Sequence, residues 1–255
     1  LSALCMFPEC ARNVGCMTDL AGASIIVLGA TGGLGREFAR QLADAGARLT
    51  LTGRSMLALD DLDIPGAALI PADLTDAGEA EKVVAAAITA HGRLDGVIVA
   101  SGAVAFGPLA ETADATLEGL WAINVLAPLR VLRAATPALA ASAADGGSPF
   151  VVSISGVVAE TPTAGIGAYS AVKAAQAAAH QVAARELRRA GIRVMDARPG
   201  HTETDLSRHP LAGERPAFPV GYAPAAVVSR ILDGVRAGEK DLPSSAFQGL
   251  PTASI

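Results

Sequence analysis

Aromatic side chains make up only 4% of this chain, so its core must be filled by aliphatic residues, which the 51% hydrophobic content can supply. Lys and Arg form no cluster, and the formal net charge is -5. This argues against a surface for a nucleic-acid backbone, and no nucleic-acid partner is expected. The three cysteines, Cys5, Cys10 and Cys16, precede the first structural pattern and fit neither a CxxC pair nor a Cys/His zinc site. His91, His180, His201 and His209 form no ligand pair, so no metal is expected. No apolar run reaches membrane-spanning length, and Glu9, Arg12 and Asn13 interrupt the leader, which makes it a poor secretory signal. No membrane partner and a cytoplasmic location are the expectations. No Pro/Ser-rich or charged linker divides the rest, which reads as one domain over residues 20–255 behind a disordered tail, residues 1–19. Met17 reads as the functional start.

What the chain has in quantity is glycine, 27 residues, and a regular alternation of short β-type runs with longer stretches of helical period. Residues 24–28, 48–52, 67–70, 96–100, 150–154 and 192–196 read as strands. Residues 34–45, 76–91, 112–141, 169–190 and 224–237 read as helices. This is the pattern of βαβ units wound into a parallel sheet: an α/β, Rossmann-like, doubly wound fold. Ligands of such sheets sit beyond the carboxyl ends of the strands.

Directly after the first strand stands Gly29-Ala30-Thr31-Gly32-Gly33-Leu34-Gly35, followed by a helix. Glycine there permits a tight turn, lets backbone approach a pyrophosphate and leaves helix N-terminal amides free for its oxygens. The second strand ends in Gly53-Arg54, where an acidic residue would bind the ribose 2′-OH of NAD. Arg54 can instead meet a 2′-phosphate, so NADP(H) is the better fit and NAD(H) the lesser one. Asp73 and Leu74 follow the third strand, Ser101 and Gly102 the fourth. Asp73 could equally cap a helix.

Tyr169 and Lys173, four residues apart, fall on one helix face. A phenol that serves as acid/base at neutral pH needs its pKa lowered by roughly two to three units, about 3 to 4 kcal/mol, and a nearby ammonium works in that direction.

The glycine loop with its GxxxGxG spacing, Asp73, Asn124, Tyr169, Lys173 and the turn Pro199-Gly200-His201-Thr202-Glu203-Thr204 occur in the order of the short-chain dehydrogenase/reductase family, which the chain resembles from about Leu20 onward. The resemblance implies that Tyr169 is the proton donor or acceptor, that Lys173 binds the nicotinamide ribose and tunes Tyr169, and that Asn124 holds a relay water. It also implies that Asp73 and Leu74 contact the adenine, while Pro199, Gly200 and Thr202 or Thr204 close over the nicotinamide. The expected reaction moves a hydride between NADP(H) and a small, fairly apolar carbonyl or secondary alcohol. The segment 205–222, with Leu206, Leu211 and Phe218, would cover that substrate, and by analogy the protein would be a homodimer or homotetramer. Two departures stand out: Val99-Ala100-Ser101-Gly102 replaces the usual Asn-Asn-Ala-Gly, and Gly156 falls where the family places its catalytic serine. Ser155, one position earlier, is the expected substitute donor. The rival reading is a cofactor-binding redox sensor or scaffold without turnover. A nucleotide-sugar epimerase is disfavoured by the short chain left after the sixth strand.

Overall fold

β-Branched and leucine-rich runs form the sheet. In the computed structural model, which describes residues 18–253, β1 (Ser24–Leu28), β2 (Arg48–Gly53), β3 (Ala68–Pro71), β4 (Gly96–Val99), β5 (Phe150–Ile154) and β6 (Arg193–Ala197) follow the six expected runs within one residue at each end. A seventh strand, β7 (Asp241–Leu242), is additional to them. Two residues are too few for any period to show in sequence. All seven are parallel, in the order β3-β2-β1-β4-β5-β6-β7.

Among the described residues seven α-helices and a π-turn connect and cover the strands: α1 (Gly33–Asp44), the short α2 (Met56–Asp60), α3 (Glu79–His91), α4 (Asp114–Trp121), the π-turn (Ala122–Leu126), α5 (Ala127–Ala144), α6 (Gly167–Glu186) and α7 (Pro224–Ala237). The period of two along β1 sends Ile25 and Val27 into one core with Phe38, Leu42, Val227 and Ile231 of α1 and α7. Ile26 and Leu28 go into the other, with residues of α3 and α5. The central strands are therefore apolar on both faces, as parallel strands between helical layers must be. The order reverses between β1 and β4, and the crevice at their carboxyl ends is where the expected site residues gather.

Two expectations need correction. Thr18 is not part of a disordered tail: its amide donates to the Arg236 carbonyl (3.1 Å), its hydroxyl accepts from Arg193 (2.8 Å), and Leu20 joins the core. The rest of that tail, residues 1–17 with Met17 and the cysteines, lies outside the described residues. The continuous helical stretch 114–144 is also long and apolar enough to cross a membrane by length and composition. Here Val131, Ala135 and Leu139 pack onto the sheet, while Arg130 and Arg133 bond to the Thr75 carbonyl and Glu81 beside α3.

Candidate active site

On the left of the crevice the chain leaves β1 through Gly29, whose φ of +71° belongs to the left-handed region. A side chain on Gly29 would meet the Ser101 backbone at 2.7 Å, and one on Gly35 would lie 2.0 Å from the Gly29 carbonyl oxygen. These two glycines are required by the close passage of the loop over β4 and of α1 over the loop. Thr31 is fixed by Arg36, whose Nε donates to its carbonyl (3.0 Å), and Gly53 is small enough for β2 to end against it, a Cβ there lying 3.0 Å from the Thr31 side chain. Gly32 precedes α1 without a side-chain cap, and no carboxylate stands in the first turn. The amides of Gly33, Leu34 and Gly35 consequently find no acceptor among the described residues, which makes this helix end a ready anion site.

Arg54 lies exposed just past β2, free to meet a phosphate. Asp73 accepts from the Thr75 amide (3.0 Å) and hydroxyl (2.7 Å) rather than capping α3, and these bonds, helped by the Arg54 charge, hold its carboxyl below the usual range. Leu74 is buried beside it. Ser101, whose backbone passes Gly29, has a buried hydroxyl without a protein partner.

On the right, α6 carries Tyr169 and Lys173 on one face, with the ammonium 5.8 Å from the centre of the phenol ring. Burial pushes the Tyr169 phenol up to about 12 and pulls Lys173 down to about 8, the Asp196 charge opposing the latter. The expected lowering of the phenol is thus reversed in the protein alone. Desolvation outweighs an ammonium that is itself engaged, donating to the Ile154 carbonyl and to Gln176 Oε1, both at 2.7 Å.

Asn124 is fully buried in the π-turn, where its side chain bonds to the Ala103 and Leu120 carbonyls, both at 3.0 Å, and so bolts α4 to the strand exit that includes Gly102. Pro128 explains the turn. It has no N–H for the Asn124 carbonyl four residues earlier, so that carbonyl loses its α-helical donor.

Ser155 departs from expectation. It is fully buried, and its hydroxyl donates to Asp196 Oδ2 at 2.6 Å, pointing into the sheet. The backbone leaves β5 through Gly156 at φ +77°, but the adjustment turns Ser155 inward. Asp196 also accepts from Arg198 (3.0 Å), and Arg198 reaches Glu160 and Asp241 as well (2.6 Å to the latter). Those bonds, that to Asp241 foremost, raise the guanidinium pKa. This network escaped the sequence reading because its members are far apart in the chain. The cue was Asp196, a carboxylate fully inside a strand pattern.

Residues 23–214 match the model of the short chain dehydrogenase family. The chain belongs to that family. An oxidoreductase of Mycobacterium tuberculosis is 38% identical over 175 residues, 67% of this chain but 64% of the relative, so the match spans less than two thirds of that protein. Among solved structures, a short-chain dehydrogenase from Streptomyces avermitilis is 28% identical with a TM-score of 0.76, covering 88% of this chain and 89% of that one. A metagenomic short-chain oxidoreductase in complex with NADP is 26% identical with a TM-score of 0.72, covering 89% and 98%.

In this short chain dehydrogenase the turn after β6 closes the crevice from above. The Pro199 carbonyl accepts from Val157 (2.9 Å), Tyr222 packs against Gly200 and bridges to Thr202, and Thr204 sits on Gly33, where a Cβ would lie 2.7 Å away. Glu203 gathers His201 (3.1 Å), the Gly221 amide (3.1 Å) and Arg215 (3.6 Å), so the covering segment is anchored at its base. Phe218 stacks on His201 at 4.7 Å and approaches Phe106, rather than standing free for a ligand, whereas Leu206 and Leu211 are exposed. A cavity of about 340 Å³ lies between this segment and the strand exit at Phe106, Pro108, Thr112, Thr116 and Ala212. Neither Tyr169 nor Lys173 lines it.

Proposed function

We propose that this short chain dehydrogenase is an NADP(H)-dependent oxidoreductase acting on a small, fairly apolar carbonyl or secondary alcohol, with Tyr169 as the acid/base. The observation that carries the reading is the placement of Tyr169 and Lys173 on α6, across the crevice from the uncapped end of α1. The fit to a dinucleotide is supported by the free amides of Gly33, Leu34 and Gly35, the orphaned Ser101 hydroxyl and the exposed Arg54. Arg54 would take the 2′-phosphate, and Asp73 and Leu74 would border the adenine. Thr31 and Gly32 would flank the pyrophosphate, and Pro199, Gly200, Thr202 and Thr204 the nicotinamide, which supplies the hydride chemistry when bound.

With its pKa pushed up to about 12, Tyr169 begins as a neutral phenol at ordinary pH, set to give its proton to a carbonyl oxygen as negative charge gathers there. The phenolate left behind lies near the Lys173 ammonium, and Asn124 offers a backbone carbonyl to a water that can return the proton.

One observation keeps a second reading alive: with Gly156 at the usual serine position and Ser155 turned to Asp196, the site has no serine donor for the substrate oxygen, as a cofactor-binding sensor would tolerate. NADPH oxidation followed by absorbance over a panel of ketones and aldehydes decides between them. Turnover that disappears in Tyr169→Phe supports the enzyme. Tight NADPH binding without consumption on any substrate supports the sensor. Exposed Leu117, Trp121 and Leu126 on the α4 side and Val182 on α6 support a homodimer or homotetramer, testable by light scattering of the wild type against Trp121→Glu.

A further inference from the structure

The face of α6 that carries Lys173 continues inward as polar residues where packing against a sheet calls for apolar ones: Gln176 is 1% exposed and His180 likewise 1%. Neither belongs to the motif that identifies the family here. Their bonds form a connected set. The Lys173 ammonium, a donor only, meets Gln176 Oε1 at 2.7 Å, and the other end of the same amide donates from Nε2 to the Ser153 hydroxyl at 3.1 Å. Each end of the amide thus has a partner suited to its chemistry, which fixes its orientation. His180 Nδ1 lies 2.8 Å from the Gln176 carbonyl and so carries the proton, leaving Nε2 buried without a partner.

We propose that Gln176 is a positioning residue for Lys173, its side-chain carbonyl holding the ammonium charged and in place one helical turn from Tyr169. This rests on the reading of Lys173 as the working partner of Tyr169.

The argument is one of competing terms. Taking an ammonium out of water favours its neutral form unless acceptors replace the lost hydration. Lys173 has two, the Ile154 carbonyl and Gln176 Oε1. The Ile154 carbonyl belongs to β5 and is fixed by the sheet, so Gln176 is the acceptor that a single side-chain change removes. The ionisable groups facing Lys173 are Tyr169 and His180 from α6 and Asp196 from β6. The π-turn brings the neutral Asn124. Arg198 lies beyond Asp196 and also holds Glu160 of the turn after β5. Asp196 supports the ammonium through space, while its bonds go to Ser155 and Arg198. Burial pulls Lys173 down even with all these in place, so loss of one acceptor brings its titration toward neutral pH.

The test follows the lysine in cofactor-free protein by NMR of side-chain-labelled lysine, the Lys173 signal being assigned by its absence from Lys173→Met. Gln176→Leu removes the acceptor, and the titration midpoint is expected to fall by about one unit. Gln176→Glu offers a carboxylate at the same distance and is expected to raise it by about one unit or more. Ser153→Ala releases the far end of the amide without touching Lys173. It is expected to lower the midpoint by a smaller amount, and it serves where Gln176→Leu does not fold. A role limited to packing would not move the midpoint in opposite directions for Leu and Glu. Wild-type midpoints in both Ser153→Ala and Gln176→Glu would overturn the proposal. Because the readout needs no turnover, a chain that titrates as expected yet reduces no carbonyl refutes the proposed activity and leaves this assignment standing.

Discussion

Ser155 Oγ donates to Asp196 Oδ2 at 2.6 Å in a place that solvent does not reach. A hydroxyl so engaged ties the end of β5 to β6 and is withheld from a substrate in the crevice. Ser155→Ala is therefore expected to weaken folding by about 1 to 3 kcal/mol, the range for stranding one partner of a buried hydrogen bond, because Asp196 keeps Arg198. Turnover at saturating NADPH should stay within a few-fold of the wild type. Urea unfolding and steady-state kinetics on the same preparation check both halves. A hundredfold loss of turnover with unchanged stability would restore Ser155 as the donor to the substrate.

The Ser155 case shows where sequence reading stops. Strand and helix positions were readable because short continuous apolar runs and apolar periods of about four reflect burial directly, and the βαβ order followed from their alternation. Gly29, Gly35, Tyr169 and Lys173 were readable because their chemistry depends on neighbours close in the chain. The direction of a side chain at a strand exit is different: it depends on Asp196, 41 residues away, and on the positive φ of Gly156. The reversal at Tyr169 has the same origin, since a spacing of four places an ammonium near a phenol but says nothing of how dry the pair is. β7 and α2 are too short to carry a period, and the π-turn at Asn124 was foreshadowed only by Pro128.

Removing the phenolic hydroxyl should separate binding from chemistry. Tyr169→Phe keeps the ring and its packing, so NADPH affinity by fluorescence titration should change little. The reduction rate should fall by about a hundredfold to ten-thousandfold, the usual worth of a placed acid. Retention of full activity would show that another group delivers the proton.

Cofactor choice is expected to follow Arg54. In the wild type NADP(H) should bind at least about tenfold more tightly than NAD(H), since the guanidinium gains a charge-assisted phosphate partner. In Arg54→Asp the new carboxylate repels the phosphate and can accept from a ribose 2′-OH, so the order should invert. Calorimetric Kd values for the two cofactors with both proteins give the answer. Equal affinities in the wild type would remove Arg54 from the site.

The pH dependence of stability should report the buried Lys173 and the half-buried Tyr169 beside it. Lys173 titrates near 8 when folded, below its ordinary 10.5, so across that interval the unfolded chain holds a proton that the folded one has released. Stability rises with pH wherever the unfolded state binds more protons, so this residue makes the fold firmer as pH climbs from about 8 toward 10. Tyr169 acts in the opposite sense at higher pH. Its folded value near 12 exceeds the ordinary 10, so between those values the folded state holds the extra proton and stability declines. Lys173→Met keeps the apolar stem without the titrating head, and below pH 8 it is spared the cost of burying a charge. The stability of the wild type relative to Lys173→Met, measured by urea unfolding, should therefore improve by on the order of 2 kcal/mol between about pH 8 and about pH 10, then level off. A difference that is flat over this range would mean that Lys173 is hydrated in solution, and that the reversal at Tyr169 must be sought in the phenol's own surroundings.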